Sequence, residues 1–344
     1  MKHKILNNSK LELISFVLII FFFGACKKSS SDTLLGNWVK QSDFEGVPRT
    51  DAVAFTIGTN AYLGTGYDGT NRLSDFWQYD PDRNFWQQKA SLRVPGAADT
   101  LVRNGAVGFG TDTKGYIGTG YNGSKKLTDF WEYDPTNNTW TKKADFAGGA
   151  RYGAVSFSIA NIGYIGTGYN DNTLKDFWQY NPTNNSWTQI VSIAGSKRRD
   201  AAAFVVNGIA YVGTGVDNGV YVSDFWAYDP TSANWTRKRD IANTSDESYD
   251  DNYKIVGING AGFSIGSKGY IATASQSTVS QDVWEYNPST DLWTKKHAFE
   301  GSARTEAVGF TVNNRGFVAT GRNSSYYFDD IWEFRPDDEY NKND

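Results

Sequence analysis

Five arginines recur at one point of a repeated pattern. Six residues before each of the phenylalanines Phe55, Phe109, Phe157, Phe204, Phe263 and Phe310 stand Arg49, Arg103, Arg151, Arg198, Gly257 and Arg304. Two residues beyond this point three copies carry a carboxylate: Asp51, Asp200 and Glu306. Guanidinium groups gathered with a few acids in a concavity suit an anionic or hydroxyl-rich ligand such as an acidic sugar. The same arginines could instead bridge neighbouring repeats through those acids. The sequence leaves both roles open.

Other chemistry is thinly represented. The chain has no nucleophile elbow, phosphate loop or histidine cluster. His297 falls near the end of a fourth strand and reads as a surface residue. Asp75, Asp129, Asp176, Asp224, Asp282 and Asp330 open every third strand. A residue repeated in every copy reads as structural, ordering its loop through backbone hydrogen bonds. Two insertions break the spacing, 93–102 and 241–256; the second contains Asp246, Glu247, Tyr249, Asp250, Asp251 and Tyr253. Both connect a fourth strand to the next first strand, which places them on the face of the arginines, so Tyr249 and Tyr253 join the candidate ligand contacts. The acids lack the alternation of a calcium loop. Neither a metal nor a cofactor is expected. Loops between second and third strands bring Tyr67, Tyr121, Tyr169, Tyr221, Tyr326 and Tyr327 to the same face, either as a stacking rim or as packed strand ends.

The elements that must position these residues are short strands. The motif Asp-Phe-Trp-x-Tyr-x-Pro recurs, complete or weakened, with its Trp at 77, 131, 178, 226, 284 and 332, spaced 54, 47, 48, 58 and 48 residues apart. In the third copy Ala154–Ile159 alternates as a strand, Asn161–Gly163 turns the chain, and Tyr164–Gly168 is a second strand. Asp176–Tyr180 and Trp187–Ile190 follow as the third and fourth strands. Four short antiparallel strands per ~50 residues make a propeller blade. The sixth copy has no fourth strand, whereas Gly36-Asn37-Trp38-Val39-Lys40 is an orphan strand ahead of the first copy. The expected fold is all-β, a six-bladed propeller over 34–337 closed by that N-terminal strand, which removes an open sheet edge.

The Tyr-x-x-Gly signal, the Trp-x-Tyr-Asp-Pro of the third strand and the following Trp resemble the kelch-repeat propellers. One departure is systematic: the family's Gly-Gly doublet is replaced by Gly-Thr-Gly at 64–66, 118–120, 166–168 and 213–215. The resemblance implies a fold rather than an activity, because propellers host unrelated functions. Galactose oxidase is a kelch relative that uses two histidine ligands and a cysteine-crosslinked tyrosine. Beyond residue 26 this chain has only His297 and no cysteine, which excludes that copper chemistry by inventory.

Residues 1–25 stand apart. Lys2, Lys4 and Lys10 precede the apolar run Leu13–Phe23, too short to span a bilayer, and Phe23-Gly24-Ala25-Cys26 ends it. This resembles a bacterial lipoprotein signal, with Cys26 as the lipidated first mature residue and 26–33 as a polar tether. Of 34 Lys+Arg and 38 Asp+Glu, three lysines and Glu12 fall in 1–25, leaving a mature charge of −6. An acidic chain with no basic run does not suit nucleic acid. The expectation is a monomeric, lipid-anchored, outer-membrane propeller of the bacterial cell envelope. It would bind an envelope protein or a carbohydrate on the face of the arginines and the 241–256 loop without turning it over. The alternative is a sugar-modifying enzyme such as a sialic acid mutarotase or epimerase.

Overall fold

The structure, a computed structural model, describes residues 34–96, 98, 100–242 and 255–343. These form six four-stranded antiparallel sheets, and the described residues contain no helix. Blade three shows the pattern: Val155–Ile159, Ile162–Gly166, Phe177–Asn181 and Ser186–Ile190 lie in sequence order from the channel outward. The second strand runs two residues earlier than its expected span. Ala160 (φ 49) and Asn161 (φ 64) are both left-handed, so the hairpin turns in two residues and Ile162 already pairs with Ile159. The strand then stops at Gly166 because Thr167 (φ 62) is left-handed too. Gly-Thr-Gly is therefore a strand terminator that turns the threonine carbonyl inward, a strained role for a β-branched residue.

The last blade is closed as expected. Asn37–Lys40 pairs antiparallel with Ile331–Arg335, with Trp38 opposite Phe334. Trp38 is fully buried, its ring centroid 4.6 Å from Phe334 and 4.9 Å from Phe299.

Aromatic residues bind blade to blade. Phe130 of blade two lies 4.8 Å from Tyr180 and 4.9 Å from Trp187 of blade three. Phe109 of blade two stands where a Cβ on Gly163 of blade three would be, 1.9 Å away, so only glycine lets these strands close. Such buried rings supply large apolar areas, and truncating one to alanine costs about 3–5 kcal/mol. The innermost strands surround a channel walled by small residues, among them Ala52, Ala106, Ala154, Ala201, Gly260 and Ala307.

Candidate functional site

The five arginines do not ring the mouth of this channel. Arg49, Arg103, Arg151, Arg198 and Arg304 are all fully buried inside their own blades. Each reaches the aspartate that opens its own third strand. Arg49 Nη1 and Nη2 donate to Asp75 at 2.6 and 2.7 Å, and Arg304 grips Asp330 at 2.5 and 2.8 Å. Arg103 and Arg151 hold Asp129 and Asp176 in the same two-pronged way, and Arg198 reaches Asp224 at 2.5 Å. Nη1 also donates to the carbonyl of the left-handed threonine, as in Arg49 to Thr65 at 3.0 Å and Arg151 to Thr167 at 2.9 Å. The third-strand tryptophan completes the cluster, its Nε1 donating to the aspartate at 2.6–2.8 Å in these five blades. At Asp129 burial pushes the pKa up, but the Arg103 hydrogen bond and charge, with the Trp131 indole, hold it below the usual carboxylate range. The arginines thus have no surface to offer a ligand. They are struts, and their partners are the repeated aspartates rather than Asp51, Asp200 or Glu306.

The three carboxylates two residues further on do come together. Asp51, Asp200 and Glu306 line one cavity of about 350 Å³ at the channel mouth, with Asn104, Tyr152, Arg199 and Asn259. The innermost chain enters all six blades here in the left-handed conformation: Asp51 (φ 51), Gly105 (φ 58), Gly153 (φ 62), Asp200 (φ 56), Asn259 (φ 56) and Glu306 (φ 56). A backbone necklace holds it. Asp51 N–H donates to Glu306 O, Gly105 to Asp51, Gly153 to Gly105, Asp200 to Gly153 and Asn259 to Asp200, at 2.8–3.3 Å. Glycine and asparagine suit this geometry, whereas aspartate and glutamate carry strain in it. Gly153 also makes room: a Cβ there would stand 2.3 Å from Asp200 Oδ1.

The acids differ in their partners. Glu306 accepts from Arg322 Nε at 2.7 Å and Nη2 at 3.0 Å, and from Thr50 Oγ1 at 2.5 Å. Asp200 is paired with its neighbour Arg199. Among the described residues, the Asp51 carboxylate accepts only an amide hydrogen bond, from Asn104 Nδ2 at 3.1 Å. Burial, followed by the Glu306 charge, pushes Asp51 up to about 7 against that hydrogen bond. Burial pushes Asp200 up to about 6, with the Arg199 charge opposing. The mouth therefore holds proton-exchanging groups near neutrality, which a solvated carboxylate would not be.

Of the other candidates, Tyr249 and Tyr253 of the 241–256 insertion lie outside the described residues, as does Cys26. The insertion's ends meet where Ile255 N–H donates to Ile241 O at 3.0 Å. Tyr67, Tyr121 and Tyr169 stand half-buried on the rim. His297 stacks on Tyr340 at 4.3 Å, away from the mouth lining. The sequence reading passed over Asn104, Tyr152, Arg199, Asn259 and Arg322. The first three share a signal: the residue after the repeated arginine runs Thr50, Asn104, Tyr152, Arg199, then Ile258 and Thr305 in the last two copies, changing between constant neighbours.

Fold and site together define a six-bladed β-propeller with a polar, carboxylate-bearing mouth. No family model matches the chain, so the kelch resemblance rests on its motifs. Among solved structures, that of YjhT superposes with a TM-score of 0.69 over 84% of this chain and 95% of that one; at 15% identity it shows the fold. Among curated proteins, the chain is 33% identical over 88 residues to Mei4-dependent protein 6 of Schizosaccharomyces pombe, covering 23% of this chain and 12% of that protein. It is 32% identical over 79 residues to N-acetylneuraminate epimerase of Yersinia enterocolitica, covering 21% of this chain and 20% of that enzyme. The chain thus matches a fifth or less of the length of these curated relatives.

Proposed function

We propose that this protein is a kelch-type propeller whose channel mouth binds one hydroxyl-rich ligand of monosaccharide size. The observation that carries this is the convergence of Asp51, Asp200 and Glu306, from three separate blades, on one cavity of about 350 Å³. Carboxylates and amides at fixed angles are the acceptors and donors that a sugar's hydroxyl groups match. The earlier case for an anionic ligand rested on the arginine ring, and those arginines are occupied. A saturation-transfer NMR screen of monosaccharides against the full chain and Asp51→Asn/Asp200→Asn tests the reading. The expected result is a sugar hit that the double variant weakens at least about tenfold with no loss of melting temperature. No hit, or equal binding by both proteins, would sink it.

A second reading is favoured by the positions of Asp51 near 7 and Asp200 near 6. Two carboxyl groups that hold and release protons at neutral pH suit the roles of acid and base on a sugar ring. NMR of anomer exchange separates the readings: an enzyme accelerates exchange and Asp51→Asn slows it, whereas a binding protein leaves the rate at its solution value. On the N-terminal sequence we further propose lipid anchoring at Cys26 in the cell envelope. Labelled palmitate incorporated by the wild type and lost in Cys26→Ser would support it; equal labelling would refute it.

A further inference from the structure

Arg72 differs from the other arginines of the mouth. Arg199 and Arg322 are each paired with a carboxylate, and the five strut arginines are each tied to an aspartate. Arg72 has no carboxylate partner among the described residues. It is nevertheless fixed. Its Nε donates to Asn104 Oδ1 at 2.8 Å, and its guanidinium lies over the rings of Tyr67 at 5.3 Å and Tyr121 at 4.7 Å. Those rings are themselves held, each hydroxyl donating at 2.7 Å to a carbonyl, Gly69 O and Gly123 O. Gly123 leaves the space beside Nη1 open: a Cβ there would be 3.0 Å from it. The terminal nitrogens Nη1 and Nη2 make no hydrogen bond to the described residues. A surface arginine ordinarily loses side-chain entropy when it captures an anion; here the ordering is already done.

The same amide links this cation to the cavity. Asn104 accepts from Arg72 through Oδ1 and donates to Asp51 through Nδ2, and it lines the mouth. Arg72 therefore stands one side chain outward from the cavity, on the rim between blades one and two.

We infer that Arg72 is the anion-docking residue of this site: a sugar seated in the mouth is recognised by a carboxylate or phosphate that reaches the rim and receives the two terminal nitrogens of Arg72. The inference rests on the sugar-binding reading above, with the anionic group held by a residue other than the five first singled out. Fork-shaped recognition by guanidinium suits either anion.

The test is calorimetric titration of the full chain with matched probes: hexose against hexuronate, hexose against hexose 6-phosphate, and N-acetylneuraminate methyl ester against N-acetylneuraminate. At least one anionic probe should bind about tenfold or more tighter than its neutral counterpart. Arg72→Gln should erase that preference, and Arg72→Lys should keep part of it; because Arg72 also holds Asn104, the readout is the anionic-to-neutral affinity ratio within each protein. Which pair shows the preference distinguishes carboxylate from phosphate. Charge-blind binding, or a preference that survives Arg72→Gln, overturns the inference while leaving the sugar site standing. Failure of every probe to bind overturns both.

Discussion

Two residues separate Arg151 from Gly153 and Arg198 from Asp200, yet these two levels of the strand entrance are different regions of the molecule. The arginine level is buried in five blades and grips its aspartate with two prongs in four of them, with Arg198 making a single carboxylate bond to Asp224. The mouth level keeps one backbone geometry in all six blades but changes its side chain from blade to blade: Asp51, Gly105, Gly153, Asp200, Asn259 and Glu306. In a ring of repeats, a side chain present in nearly every blade serves what the blades share, which is holding their own shape. A side chain that varies on a constant backbone is released from that duty. Blade five supports the point. It carries Gly257 in place of arginine, and its Asp282 is 47% exposed and paired with Lys295 at 2.8 Å, whereas the strut aspartates are 11–22% exposed.

The sharpest way to break the comparison is Arg151→Ala. It removes a fully buried guanidinium and strands the partly buried Asp176, and should cost about 3–5 kcal/mol in a denaturant titration. A loss below about 1 kcal/mol would show that the arginine level is not structural. Gly153→Ala comes next, at about 1–2 kcal/mol for a left-handed alanine, and its methyl should displace Asp200 and weaken any ligand of the mouth. If Gly153→Ala leaves both stability and binding untouched, the mouth is not the close-fitting site described. Third is a pH effect of opposite character. The Asp51 and Asp200 pKa values are raised on folding, so the folded state binds their protons more tightly than the unfolded chain does. The stability they contribute is present below about 4 and is lost as pH rises through 6–7. The melting temperature of Asp51→Asn should therefore match wild type at pH 4 and exceed it at pH 8. A variant less stable than wild type at pH 8 would refute the burial argument. The smallest effect belongs to blade five, where Lys295→Ala should cost about 0–1 kcal/mol because its ion pair is half exposed. A loss as large as that of Arg151→Ala would erase the distinction between blades.

The fold was largely legible because its determinants are local and repeated. Six third-strand tryptophans set the blade count, and Trp38 beside a missing fourth strand announced the closure. The carboxylates of the mouth were legible as departures from the repeat. The arginines were misplaced for a physical reason: a guanidinium at a strand entrance can point into the channel or into its own blade, and spacing does not distinguish the two. The choice is made by an aspartate 25 or 26 residues further on, whose pairing pays for the burial. Arg72 and Arg322 were passed over because they sit in loops, where the repeat no longer specifies direction.

The seam between Asn37–Lys40 and Ile331–Arg335 also has a consequence in time. It joins strands from opposite ends of the described chain, so blade six has no complete sheet until the last repeat has emerged from synthesis. Blades one to five can pair their own strands as they appear, but the carbonyl of Glu306 meets the amide of Asp51 only once the ring shuts. The mouth, which takes Asp51 from the first blade and Glu306 from the last, is then the final part of the molecule to exist. A nascent or truncated chain would hold most of its strands but an open, incomplete mouth.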